Sequence, residues 1–258
     1  MKHVPPSLLR QVKRVLVAQF LVVSLLALSV RNCAAENWPQ WRGSELNSNS
    51  GETSVPVKWN QNENMLWRVP MPGPAGASPV VWGDNAFVTS VDGDELLLFC
   101  IGVKSGEVKW KVQIDGANIP SHDKANSASP SPSTDGKHVW VMMGNGILAC
   151  YTVEGKRCWQ KDLQKVYGEF KIMFGMSTTP ILDKGRLYIA LMHGDHKNKS
   201  EASVGQVIAL DALTGDEIWL HLRKTDGIAE TTHSYASPTI YRNDTRDCLL
   251  YTSDAADE

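Results

Sequence analysis

The sequence is poor in the features that mark disulfide scaffolds, nucleic-acid binders and helical proteins. Five cysteines occur among 258 residues, at positions 33, 100, 150, 158 and 248, and no two are adjacent. So few, so scattered, do not build a disulfide framework. Cys150 and Cys158 flank one expected hairpin, where they either pair or stay as buried free thiols. Basic charge is not in surplus, since 26 Lys and Arg stand against 28 Asp and Glu. With no basic stripe, nucleic acid is excluded as a partner. No window beyond residue 35 carries a convincing helical period. Nucleophile motifs, phosphate loops and supported carboxylate pairs are also missing.

What is present begins with an address. Lys2, Arg10, Lys13 and Arg14 form a basic stretch, and the 16 residues from Val15 to Val30 carry no charge. Small residues follow at Cys33-Ala34-Ala35. That is the anatomy of a secretory signal over residues 1–35, too short in its apolar run for a comfortable membrane span. Removed, it sends the chain out of the cytoplasm to a periplasmic or extracellular location. Left uncleaved, it is the chain's membrane contact. At the other end, residues 248–258 resemble one reading frame of a sequencing-library adapter and are expected to be a non-native tail, with the natural chain continuing past Asp247.

Between these ends a phrase Gly-x-x-x-Trp recurs, as Gly106–Trp110, Gly155–Trp159 and Gly215–Trp219. Each copy follows a Ser/Thr-Pro step, read as Pro79, Pro130 and Pro180, with a fourth at Pro238. Strand-rich runs within each unit are separated by turns of Gly, Asp and Asn, which tolerate positive φ. A period of about 50 residues built from four short strands indicates a β-propeller. Residues 36–64 are expected to be an extended N-terminal segment, and residues 65–247 a partial propeller of about three and a half antiparallel four-stranded blades. Trp67, Trp110, Trp159 and Trp219 are assigned a docking role, each indole covering an adjoining blade while its N–H meets a carbonyl. Trp38 and Trp41, beside Pro39, are expected to pack the N-terminal segment against the blades, as a closing strand or a plug.

Residues 209–219, Ala-Leu-Asp-Ala-Leu-Thr-Gly-Asp-Glu-Ile-Trp, resemble the tryptophan-docking phrase of the PQQ-like repeat β-propellers. That superfamily includes the quinoprotein alcohol dehydrogenases and the propeller lipoprotein of the outer-membrane β-barrel assembly machinery. Trp38-Pro-Gln-Trp-Arg-Gly43, Phe174-Gly-Met-Ser-Thr-Thr-Pro180 and His233-Ser-Tyr-Ala-Ser-Pro238 resemble exported bacterial members. Gly102 and Tyr151 are taken to stand where the phrase has Asp211. The resemblance implies a ring of seven or eight blades. For the dehydrogenases it implies pyrroloquinoline quinone (PQQ) with calcium, a vicinal Cys-Cys pair over the quinone, and Glu, Asn and Asp around the metal. The vicinal pair has no counterpart here, so no cofactor is expected, with PQQ and calcium as the alternative.

The sharpest chemical cluster is His193-Gly-Asp195-His196, which opens an insertion in the third unit. Two imidazoles and a carboxylate in four residues are candidate ligands for a transition metal, set against a plain solvated loop. His122, Asp123, Asp226, Glu230 and His233 are candidates to line a pocket at the propeller rim, again set against ordinary loop residues. The leading functional expectation is an exported, non-catalytic propeller that binds or scaffolds a protein or small molecule on one face. The alternative is a PQQ-dependent oxidoreductase.

Overall fold

The structure, a computed structural model, describes residues 36–119, 125–170, 172, 174–191, 205–223 and 235–251. Residues from Glu36 onward form one compact unit, separate from Met1–Ala35. Its first sheet contains β1 (Val80–Trp82), β2 (Asn85–Asp92), β3 (Glu95–Gly102) and β4 (Val108–Ile114) in chain order. The second contains β5 (Ser133–Thr134), β6 (His138–Met142), β7 (Ile147–Thr152) and β8 (Arg157–Asp162). The third contains β9 (Ile181–Asp183), β10 (Arg186–Leu191), β11 (Gly205–Asp211) and β12 (Glu217–Arg223). A hairpin of β13 (Thr239–Arg242) and β14 (Asp247–Leu250) follows. All neighbours are antiparallel, and the sheets are successive blades of a β-propeller. β14 takes in Cys248, Leu249 and Leu250, which the sequence reading placed in the tail.

Sheet faces, rather than sheet edges, carry the core. Phe87, Leu96 and Leu98 of the first blade pack with Val139, Val141 and Tyr151 of the second. Trp140, Met142 and Leu148 pack in turn with Leu187, Ile189 and Ile208 of the third. On the outer side of the first blade, Leu97, Phe99 and Ile101 are covered by Trp67, Val69 and Met71. Every residue from Leu96 to Ile101 is therefore buried, because a blade is roofed on both faces and cannot show a clean two-residue alternation.

The innermost strands are stitched to one another by hydroxyls. Ser78 N–H donates to Ser131 Oγ (2.9 Å), Ser131 N–H to Thr179 Oγ1 (3.0 Å), and Thr179 N–H to Ser237 Oγ (2.8 Å). This series corrects the repeat register. Ser131-Pro132, not Ser129-Pro130, is the second blade's equivalent of Ser78-Pro79, Thr179-Pro180 and Ser237-Pro238, since β5 begins directly after Pro132. The Ser-Pro-Ser-Pro run offered two registers, and blade contacts chose the later one. Ser131→Ala removes the acceptor for a part-buried N–H and is expected to cost about 1–3 kcal/mol. Ser131→Thr, which keeps the hydroxyl as Thr179 does, restores most of it. Urea unfolding of both variants checks this.

A second series comes from the N-terminal segment. Val81 N–H donates to Trp38 O (2.8 Å), Thr134 N–H to Pro39 O (2.8 Å), and Leu182 N–H to Gln40 Oε1 (2.9 Å). Gln40 Nε2 returns a bond to Leu182 O at 3.2 Å. Three consecutive residues thus engage three consecutive blades, each at the second position after its proline.

Each complete blade has a register break at one place, after Cys100, Cys150 and Ala209. The break sets these small residues opposite Trp110, Trp159 and Trp219. It also corrects the alignment of the docking phrase: Thr152, not Tyr151, occupies the place of Asp211, whose carboxylate accepts from Leu213 and Thr214 N–H. In the first blade that job passes to Asp84, which accepts from Lys104 N–H. This bond and the Lys109 ammonium hold the Asp84 carboxyl below its ordinary range. One short helix, α1 (Leu163–Tyr167), departs from the all-strand expectation. Asp162 caps it by accepting from Lys165 N–H, and five residues are too few to leave a period in the sequence. Among the described residues no helix is long and apolar enough to cross a membrane.

Candidate functional site

Antiparallel order sorts the connections to two edges of the blades. Tight turns at residues 83–84, 103–106 and 153–156 lie at one edge, with the tryptophan phrases. Trp67 Nε1 donates to Val103 O (2.7 Å), Trp110 to Val153 O (2.9 Å) and Trp159 to Ala212 O (3.1 Å). Beneath these indoles lie Gly106, Gly155 and Gly215, all at positive φ. Trp140 Nε1, absent from the sequence-derived set, shares Ala212 O at 2.7 Å. Trp219 lies 6.0 Å from Tyr188 on its own sheet, as Phe87 does from Trp110.

Described segments at the opposite edge enclose a cleft of about 610 Å³ between the second blade and its neighbours. Its walls come from the segments after β4, between β6 and β7, and around α1. Asn145 is the central side chain: its Nδ2 donates to Ala117 O (3.2 Å) and its Oδ1 accepts from Ile147 N–H (3.0 Å). Gln164 Nε2 donates to Asn145 O (2.7 Å) while its Oε1 accepts from Phe170 N–H (2.7 Å). Ser127 Oγ accepts from Ile119 N–H (3.0 Å), and Asn126 Oδ1 from Ala128 N–H (2.9 Å). A Cβ at Gly116 would lie 2.5 Å from Asn145 Nδ2, and one at Gly146 2.8 Å from Gln164 Cγ. The amides are thus pressed against backbone that only glycine permits. Phe170, Ile172 and Met176 add an apolar wall, and Asp162, Lys165 and Glu169 stand in the lining as charges. Asp162 and Lys165 pair with each other at 3.1 Å.

Of the sequence-derived candidates, His122, Asp123, His193, Asp195, His196, Asp226, Glu230 and His233 lie outside the described residues. Phe174 and Tyr235, from two of the family-like phrases, meet: Tyr235 OH accepts from Phe174 N–H at 3.2 Å and their rings lie 6.0 Å apart. Sequence reasoning missed Gln40, Asn145 and Gln164. The only sequence signals were the Gly144-Asn145-Gly146 step and Asp162 as a helix cap.

Among the described residues, Cys100, Cys150, Cys158 and Cys248 are free thiols. Burial pushes Cys100 up to about 11, and burial together with neighbouring Cys158 raises Cys150 further. Cys158 occupies the extra position of the second blade's register break and is exposed. Iodoacetamide is therefore expected to modify Cys158 in the native protein, and Cys100 and Cys150 only after denaturation, as read by peptide mass mapping. Neither buried thiol lies next to another cysteine in sequence, and the described residues contain no group of three His, Cys, Asp or Glu able to hold a metal. The described donor set does not fit a quinone capped by a vicinal disulfide with calcium beside it.

The fold and its docked indoles define a propeller of the PQQ-like repeat type. The family model described as outer membrane protein assembly factor BamB matches residues 57–246, and the chain belongs to that family. It is 22% identical over 197 residues to a polyvinylalcohol dehydrogenase of a Pseudomonas species, covering 71% of this chain and 28% of that relative's length. Among solved structures it is similar to the quinohemoprotein alcohol dehydrogenase ADHIIG from Pseudomonas putida HK5, at 20% identity and a TM-score of 0.44, covering 60% of this chain and 22% of the other. BamB from Moraxella catarrhalis is matched at 14% identity and a TM-score of 0.36, over 59% of this chain and 53% of the other.

Proposed function

We propose that this chain is the propeller part of an exported, non-catalytic protein that binds or scaffolds another molecule through the cleft beside Asn145. The partial propeller is assigned to residues 65–247, preceded by a secretory signal over 1–35 and the segment 36–64, with 248–258 as a non-native tail. The carrying observation is that the lining amides are held rigidly by backbone bonds while keeping unused hydrogen-bonding capacity, which is the arrangement of a recognition site. Two titratable groups of the lining already have structural work: Asp162 caps α1 and pairs with Lys165.

The second reading is a PQQ-dependent oxidoreductase whose site residues lie outside the described part, favoured by the likeness to a polyvinylalcohol dehydrogenase. Incubation of the purified protein with PQQ and Ca²⁺, followed by quinone absorbance and alcohol-dependent dye reduction, separates the two. The binding reading expects no dye reduction above a protein-free control. Sustained turnover overturns it.

A further inference from the structure

We infer that the cleft takes a neutral, hydroxyl-rich chain such as an uncharged oligosaccharide, a ligand class that rests on the binding reading above. The inference starts from what its polar groups have left to offer. A primary amide has two N–H donors and an oxygen that accepts twice. Asn145 and Gln164 each spend one donor and one acceptance on backbone. One N–H and one lone pair therefore remain on each, at orientations the backbone bonds fix. Asn126 spends one acceptance on Ala128 N–H, and Ser127 retains its hydroxyl proton after accepting from Ile119 N–H.

Each of these lining amides therefore keeps both a donor and an acceptor. Hydroxyl groups, which donate once and accept twice, match such a wall. An anion needs donors only and a free cation, but the cation among the described lining residues, Lys165, is paired with Asp162. A purely apolar ligand would strip water from the amides without replacing its bonds, at about 1–3 kcal/mol for each group left unpaired. Half-buried Phe170, with Ile172 beside it, provides an apolar face for the C–H side of a sugar ring. Because the amides are pre-oriented, little ordering cost falls on binding.

Maltoheptaose is the probe, titrated into the whole protein by calorimetry, with polygalacturonate and a neutral Gly-Ser peptide as competitors of other chemistry. The expected result is saturable binding of maltoheptaose that is unchanged between about 0.05 and 0.5 M salt. Phe170→Ala weakens it about tenfold or more, whereas Val166→Ala, on the exposed side of α1, leaves it unchanged. Should Phe170→Ala fail to fold by circular dichroism, the side-chain amide resonances of Asn126, Asn145 and Gln164 in the unmodified protein decide, and these must shift on titration. Absence of saturation at about 10 mM maltoheptaose, wild-type affinity in folded Phe170→Ala, unmoved amide resonances, or preference for polygalacturonate or the peptide each overturns the inference. A silent sugar titration with silent dye reduction sinks the ligand class alone, whereas turnover with PQQ sinks the binding reading beneath it.

Discussion

Gly106→Ala is expected to destabilise the protein by about 2–5 kcal/mol, far more than Gly93→Ala in the same blade. Both glycines have positive φ, 71° and 57°, so both alanines pay about 1–2 kcal/mol for a left-handed backbone. Their surroundings differ. A Cβ at Gly93 meets nothing within 4 Å, whereas one at Gly106 lies 2.7 Å from Trp67 Cγ and 2.9 Å from its Cβ. Those atoms are the root of the side chain and cannot swing aside, so the indole must lift and lose its bond to Val103 O. Urea midpoints of the two variants give the difference, and a cycle with Trp67→Ala isolates its source. If Gly106→Ala costs no more than Gly93→Ala, docking by the indole is not what demands glycine there.

Phe87→Ala is expected to cost about 3–5 kcal/mol. The ring is fully buried and lies 6.0 Å from Trp110 by ring centroids, within the cluster that joins the first two blades. Its removal takes away burial from both blades and undercuts the indole that caps the second. Neighbouring blades pin the surrounding strands, so the void has little room to collapse. Phe87→Leu, which keeps most of the volume, should recover more than half of the loss in the same unfolding experiment. Equal losses for alanine and leucine would mean that the ring's shape, not its bulk, holds the blades together.

The blade architecture was legible because its markers are local. A turn glycine, a tryptophan four residues later and a hydroxyl-proline step each announce one strand or one turn, and their spacing carries the rest. The register of the second blade was not legible, because Ser129-Pro130 and Ser131-Pro132 look alike until Thr179 Oγ1 selects Ser131. Tyr151 was misaligned because the turn of the second blade is one residue shorter: Gly155 N–H bonds Thr152 O three residues back, where Gly106 and Gly215 reach Gly102 O and Asp211 O four residues back. The cleft was harder still. Asn145 and Gln164 are ordinary polar residues in sequence, and their importance comes from carbonyls and N–H groups supplied by other segments. Cys150, read from sequence as either paired with Cys158 or a buried thiol, shares with Cys100 and Ala209 the small position opposite a tryptophan.

The bonds from Trp38, Pro39 and Gln40 to three blades have a geometric consequence. Two residue steps span about 7 Å at most, and the Gln40 side chain supplies the remaining reach to the third strand, so the three inner strands meet one short stretch of chain. At that height the free edges of these three strands are covered by peptide and closed to a solute.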